Sequence, residues 1–384
     1  MCKVLTQCLA CNSTDLETVL DLGKQALANE FTHKPIKNET YPLALNFCMN
    51  CSHLQLTHIV NRERIFQNYQ YLSGTSQTLQ KDFEDFAKQI SLNHEVTSVL
   101  DIACNDGSQL DAFKRLGWQT TGVDPAKNIF PISSKNHKVI CDFLKIEHAN
   151  EISADIAIAQ NVIAHTPNPQ ELLHIMNVIS TDAYVQTSQA QMITQNQFDT
   201  IYHEHLSFFC EYSYYQMSKI VNFPLKEINK RNIHGGSFLF HNRRNSSWMP
   251  EPKKSALSEV QNFAKKSNII RKELDNEIEK LIGLGFKMVG YGAAAKGMTV
   301  LNSIEQSLDM ILDDSPLKQG KYSPTKSIPI FSTSKLNELD SEFVLVLLAW
   351  NFKDEILTRV SKQINRTFKV LEYFPKVKVY DYPH

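Results

Sequence analysis

VLDIACNDGSQL, residues 99–110, reads as a strand that runs into a turn and then a helix. Around it, short apolar runs alternate with helical stretches: VTSVLDIA, QLDAFKRLG, QTTGVDPA, KVICDF and ADIAIAQNV. That alternation predicts a parallel sheet covered by helices, an α/β fold of the doubly wound, Rossmann-like kind. In such sheets a ligand sits beyond the carboxyl ends of the strands, so the turn after Ile102 is where to look for one.

The turn is acidic where a phosphate-binding loop would avoid acid. Asp101 and Asp106 bracket it, together with Ala103, Asn105 and Gly107. Asp124, with Pro125 behind it, ends the next strand, from which a carboxylate can accept both hydroxyls of a ribose. Asp142 and Phe143 end the third strand, at the level of an adenine edge, and Gln160 and Asn161 end the fourth. A ligand carrying positive charge, such as the amine and sulfonium of S-adenosylmethionine, suits these ends. Taken singly, each aspartate is also an ordinary helix cap. Ala103 stands where such loops commonly carry glycine, and its methyl is tolerated if that position avoids positive φ.

The chain has 384 residues, 42% of them apolar, enough for two or three packed domains. A formal net charge of -1 gives no electrostatic case for nucleic-acid binding. The longest apolar runs, such as FVLVLLAW at 343–350, are far short of a membrane span, and no signal peptide is visible at the start. The expectation is a soluble, cytoplasmic protein with a small-molecule substrate and no nucleic-acid or membrane partner. Four of its eight cysteines form two CxxC pairs, Cys8 with Cys11 and Cys48 with Cys51. Two intervening residues turn both sulfurs of a pair inward, so the pairs predict one structural zinc ion. Redox pairs are the alternative. Cys104, Cys141 and Cys210 read as buried small hydrophobes, and Cys2 as a residue just outside the zinc site.

Farther along, FQNYQYLSGTSQTLQKDFEDFAKQI becomes helical, with Leu79, Phe83, Phe86 and Ile90 on one face. Residues 253–283 predict one amphipathic helix, bounded by Pro250 and Pro252 before it and Gly283 and Gly285 at its end. A second α/β pattern follows: FKMVGYGAAAKG, LDMILDD, SIPIFS, FVLVLLAWN and TFKVLEYF. In GYGAAAKG, small residues at a helix start allow a diphosphate close to backbone amides, with Lys296 adding charge. The same pattern is compatible with NAD and an oxidoreductase. Three parts are expected: a zinc module over 1–66, a methyl-donor domain over 67–245 and a second Rossmann-like domain over 246–384.

YHEH, residues 202–205, packs four proton-handling groups together. His203 and His205 at spacing i, i+2 can share one side of a strand and hold a metal, although the helical HExxH arrangement is absent. In an extended segment, Glu204 points away from both histidines, which leaves two readings open, a supporting role and direct action.

Paired CxxC knuckles, VLDIACNDG, NVIAHTPNP, FDTIYHEHLSFF, HGGS and GYGAAAKG occur in that order. The chain thereby resembles the sugar C-methyltransferases of deoxysugar biosynthesis over nearly its whole length. The resemblance implies an N-terminal zinc module, a central S-adenosylmethionine domain and a C-terminal Rossmann-like domain holding the nucleotide part of the substrate. It implies methyl transfer to carbon 3 of a nucleotide-linked 4-keto-6-deoxy sugar. On it, His205 is the base, and Glu204, Tyr202 and Tyr71 complete the catalytic patch. Tyr71, Ser73 and Gly74 from YQYLSG, His165, His203, His234, Gly292 and Lys296 become sugar-nucleotide contacts. Each has a plain structural alternative: a packing aromatic for Tyr71, a cap for His165, a turn for His234. Gln186 and Gln189 stand where an acidic residue is expected, and the basic stretch HNRRNSSWMPEPKK reads as a solvated loop. Methylation of oxygen or nitrogen on another small molecule is the competing enzyme reading, and a zinc-ribbon RNA methyltransferase a weaker one.

Overall fold

The computed structural model describes residues 2–61, 65, 72–75, 77–95, 97–189, 191–233, 235–339 and 342–383. Five strands open the chain: β1 (Cys2–Val4), β2 (Leu16–Gln25), β3 (Tyr41–Cys48), β4 (Leu54–Leu56) and β5 (His58–Val60). β1 pairs with β5, while β2, β3 and β4 form an antiparallel sheet. Strand β3 buries every side chain but the half-buried Pro42, with Leu43, Leu45 and Phe47 in the main core.

The central sheet holds β6 (Ser98–Ile102), β7 (Gln119–Val123), β8 (Lys138–Ile140), β9 (Ile156–Gln160) and β10 (Asp182–Thr187), all parallel. A two-residue strand, β11 (Ser207–Phe208), leaves this unit and pairs with β4 of the N-terminal sheet. β12 (Leu225–Arg231) and β13 (Ser237–Arg243) return to the central sheet antiparallel, giving the order β12–β13–β10–β9–β6–β7–β8. Connections leave β6 toward opposite sides, to β7 and onward to β9, which opens a crevice at its carboxyl end. Helices α1 (Gln77–Asn93), α2 (Ser108–Arg115), α3 (Pro169–Ile179) and α4 (Glu211–Ile220) cover the faces. Phe86 of α1 meets Phe113 of α2 edge-on at 6.2 Å, a favoured aromatic geometry.

Helix α5 (Leu257–Gly283) then crosses to a third sheet, of order β16–β15–β14–β17–β18–β19. Its strands are β14 (Lys287–Tyr291), β15 (Met310–Leu312), β16 (Ile330–Phe331), β17 (Phe343–Leu347), β18 (Phe368–Glu372) and β19 (Lys378–Tyr382). All run parallel except β19, and α6 (Ala295–Asn302) and α7 (Lys353–Ile364) flank them. The buried positions of α5, including Val260, Phe263, Ser267, Ile270 and Leu274, recur at intervals of three and four. Val260, Phe263, Ile270 and Leu274 join one core with Leu20 and Leu45 of the first sheet and Met288 and Val344 of the third, so the two ends of the chain share an interior.

Two cysteine readings change. Cys104 is buried as expected, but Cys141 is exposed and Cys210 only half-buried, because the sheet's edge strand and a helix N-terminus put them at the surface. Among the described residues, no helix is long and apolar enough to cross a membrane.

Phe263, 1% exposed, lies in the core that α5 shares with both outer sheets. Phe263→Ala is expected to cost about 3–5 kcal/mol through lost burial and the cavity left behind. A fall in the denaturant midpoint of the transition reported by near-ultraviolet circular dichroism measures it.

Candidate active site and zinc centre

The two knuckles converge. Cys8 Sγ and Cys51 Sγ lie 3.6 Å apart, as do Cys11 Sγ and Cys48 Sγ, and all four sulfurs fall within 4.8 Å of one another. A tetrahedral ion with metal–sulfur bonds near 2.3 Å separates its ligands by about 3.8 Å, so the four thiolates fit one zinc ion. Asn50 Nδ2–H points at Cys11 Sγ from 3.5 Å, a donor suited to a thiolate. The loop between the knuckles folds as β2 and most of β3, which makes the long spacing a piece of sheet.

At the carboxyl end of β6 the turn alternates its backbone hand. Ala103, Asn105 and Gly107 have φ of 57°, 50° and 84°. Ala103 therefore does adopt positive φ, against the expectation, and the residue is exposed. Asp124 fixes the turn, its Oδ2 accepting Asn105 N–H at 2.8 Å and its Oδ1 accepting Ala126 N–H at 2.8 Å. Ser73 N–H and Gly74 N–H donate to the Asn105 and Asp106 side chains at 3.0 and 2.7 Å. Both residues are thus tied to the turn after β6, not to the YHEH cluster. A side chain at position 74 would meet Ser108 Oγ at 2.3 Å, so only glycine lets the segment lie this close.

Asp101 is buried, and desolvation, followed by the nearby charges of Asp124 and Asp106, pushes its carboxyl well above the usual range. Desolvation raises Asp124 as well, partly offset by its two backbone donors. Across the crevice, Gln160 Nε2 and Asn161 Oδ1 are buried and lack hydrogen-bond partners among the described residues. Acids short of a cation beside an unfilled amide donor and acceptor fit a ligand with an ammonium, a sulfonium and a purine edge. Pro125 follows Asp124 in the same loop. Asp142 lies farther out, its Oδ2 engaged by Lys145 Nζ at 2.6 Å and its Oδ1 by the Phe143 N–H.

From Asn161 the chain needs only four residues to reach His165, which closes a short helical turn over Ile163–His165. The His165 ring meets His205 edge-on, with centroids 4.8 Å apart. Burial alone holds His165 at about 4, so it is neutral near pH 7.

YHEH is a turn, not a strand: His205 N–H donates to Tyr202 O at 2.9 Å. The expected alternation of side chains fails for that reason, and the four groups point into different surroundings. His205 Nδ1–H donates to Thr200 O at 2.7 Å, which fixes the tautomer and leaves Nε2 as the basic nitrogen. The Tyr202 hydroxyl donates to that Nε2 at 2.9 Å, its ring leaning over the imidazole at 4.1 Å. His203 turns toward the first sheet, Nε2–H donating to Tyr41 O at 3.3 Å, and burial lowers it to about 4. The histidines do not share a side, and among the described residues no metal-holding group includes them. Glu204 is buried and accepts from Asn29 Nδ2 at 2.6 Å; desolvation, moderated by that bond, raises it to about 7.

The remaining residues divide. Gly292 has φ of 93°, and a Cβ there would sit 2.7 Å from Ala349 Cβ, so packing between β14 and β17 requires it. Lys296 Nζ lies 4.8 Å from the Trp350 ring centre, buried and without a hydrogen-bond partner among the described residues. Burial lowers it and the charge of Asp199 opposes that shift. Gln186 Oε1 accepts from Arg231 Nη1 at 2.6 Å, and Gln189 bonds Thr187. Tyr71 and His234 lie outside the described residues. Sequence reading missed Asn29, Thr200, Asp199, Trp350 and Tyr373, whose partners are mostly more than a hundred positions away.

Three family models cover the chain in succession: a zinc binding domain over residues 8–66, a methyltransferase domain over 61–227 and a C-methyltransferase C-terminal domain over 232–375. The C-methyltransferase NovU of Streptomyces niveus is 24% identical over 98% of this chain and 97% of its own. Among solved structures, magnesium protoporphyrin IX methyltransferase of Synechocystis PCC 6803 with bound SAH is 10% identical. It overlaps 48% of this chain and 92% of its own at a TM-score of 0.36. A SAM-dependent methyltransferase from Archaeoglobus fulgidus is 13% identical over 43% of this chain and 94% of its own, at a TM-score of 0.33.

Elemental analysis is expected to find one zinc per chain, with Cys8→Ser and Cys48→Ser each losing it and unfolding at lower temperature. Glu204 generates a second expectation. A carboxyl raised from 4.5 to about 7 on folding lends stability that is complete below 4.5 and lost as pH rises through 7. Glu204→Gln keeps an oxygen for Asn29 and removes that dependence. The stability difference between wild type and variant is expected to move toward the variant by roughly 3 kcal/mol across this window, read from denaturation curves at each pH.

Proposed function

We propose that this chain, an S-adenosylmethionine-dependent C-methyltransferase, methylates carbon 3 of a nucleotide-linked 4-keto-6-deoxy sugar through a base-generated enolate. The observation that carries the reading is the Thr200–His205–Tyr202 chain of hydrogen bonds, which leaves His205 with one basic nitrogen beneath a phenol donor. A carbon next to a ketone is a poor acid, so its proton leaves only to a positioned base while a donor stabilises the enolate oxygen. His205 Nε2 is that base. The Tyr202 hydroxyl turns from Nε2 to the ketone oxygen as the sugar enters, which frees the nitrogen's lone pair and supplies the enolate's donor.

The bound cofactor supplies an electrophilic methyl group. Asp101, Asp106 and Asp124 hold its positive and ribose ends, with Ala103, Asn105 and Gly107 forming the turn beneath it. Gln160 and Asn161 take polar edges that those acids do not reach. His165, neutral through burial, spans the short distance from the β9 crevice to His205 and contacts the sugar between them. Glu204 is poised near neutrality and backs the turn through Asn29. Lys296, whose ammonium lies over the Trp350 ring, and the start of α6 serve the nucleotide side.

The test pairs two measurements. With labelled S-adenosylmethionine and a TDP-4-keto-6-deoxyhexose, the label is expected on carbon; label on oxygen, or no turnover across the common keto sugars, sinks the reading. In deuterium oxide without methyl donor, wild type is expected to exchange the carbon-3 proton, and His205→Ala to lose that exchange by about 100-fold or more.

A further inference from the structure

His205 is held through the backbone next to it, and that hold comes from the far end of the chain. Thr200, whose carbonyl receives the imidazole N–H, closes the short helical turn Phe198–Thr200. Asp199, one residue earlier, is 1% exposed. Its Oδ2 accepts Trp350 Nε1–H at 2.6 Å and Tyr373 O–H at 3.0 Å, both from the C-terminal sheet. Ile201 O, on the other side of Thr200, accepts the Thr299 hydroxyl of α6 at 3.2 Å.

These donors are themselves immobilised. Trp350 stacks on Phe374 with ring centres 3.9 Å apart, and Tyr373 is 2% exposed. The second oxygen of Asp199, Oδ1, is buried and without a hydrogen-bond partner among the described residues. A carboxylate kept there with one oxygen unsatisfied carries a desolvation cost that a neutral packing residue would avoid. The charge of Asp199 also favours the buried Lys296 ammonium, while its two bonds to Oδ2 tie the turn to Trp350 and Tyr373.

We propose that Asp199 is a positioning residue: it anchors to the C-terminal sheet the turn whose Thr200 carbonyl orients His205. The proposal rests on His205 being the base. A base shifted by about 1 Å loses on the order of 100-fold in rate, while the sugar and the methyl donor, bound by other residues, keep their affinity. The loss from positioning therefore falls on kcat.

The experiment uses the full-length, zinc-loaded protein and follows carbon-3 exchange and methyl transfer with a TDP-4-keto-6-deoxyhexose. Asp199→Ala is expected to lose about 10–100-fold in kcat for both, with S-adenosylmethionine affinity within about twofold and any change in KM, from the charge lost beside Lys296, shared equally by Asp199→Asn. Asp199→Asn, whose amide oxygen can still accept from Trp350 and Tyr373, is expected to recover most of that loss. Trp350→Phe and Tyr373→Phe each remove one donor, are expected to give smaller kcat losses, and serve if Asp199→Ala does not fold. Unchanged kcat in all of these, or a loss confined to KM, overturns the positioning role. His205→Ala runs alongside: full exchange there removes the base itself, whereas lost exchange there with normal Asp199→Ala turnover overturns this proposal alone.

Discussion

The turn from Asp199 to Leu206 is bonded to three sheets at once, and the arrangement around His205 exists only while all three hold. Leu206 N–H donates to Ala164 O at 2.7 Å, on the connection that leaves the central sheet. Leu206 O accepts Leu56 N–H at 3.0 Å, and the next two residues extend the N-terminal sheet as β11. Asp199 and Ile201 take their donors from the C-terminal unit. A turn has few backbone bonds of its own, so this one borrows rigidity from its neighbours. The zinc ion gains a role by the same route, since it ties down the knuckles at the ends of the sheet that β11 joins.

How much of this was legible in the sequence follows the range of the interaction. The cysteine knuckles, the strand–turn–helix at 99–110 and the acids at successive strand ends are local patterns, and each lands where its period or spacing puts it. Helix α5 was readable for the same reason, as its apolar stripe recurs at helical spacing. The YHEH segment was misread as extended because alternation describes only strands. Its true shape depends on Thr200, Tyr41 and Asn29, and the last two lie more than 150 positions away. Ala103 was misjudged because the local cost of a methyl at positive φ, about 1–2 kcal/mol, is small enough for a turn held by Asp124 to impose. Gly292 and Lys296 carry a ligand-binding pattern, yet one meets Ala349 and the other lies beneath an indole.

Burial sets the electrostatics of the site in one consistent direction. It raises Asp101, Asp124 and Glu204 and lowers His165 and His203, so each is pushed toward its neutral form. For His165 and His203 the consequence is a neutral ring near pH 7. For the acids the consequence is reversed. A cation entering the crevice favours their ionised form. The same dry environment thus keeps His165 and His203 uncharged and makes the crevice at Asp101 and Asp124 favour a positive ligand. That pairing explains why a crevice lined with aspartate opens onto a turn built around histidine.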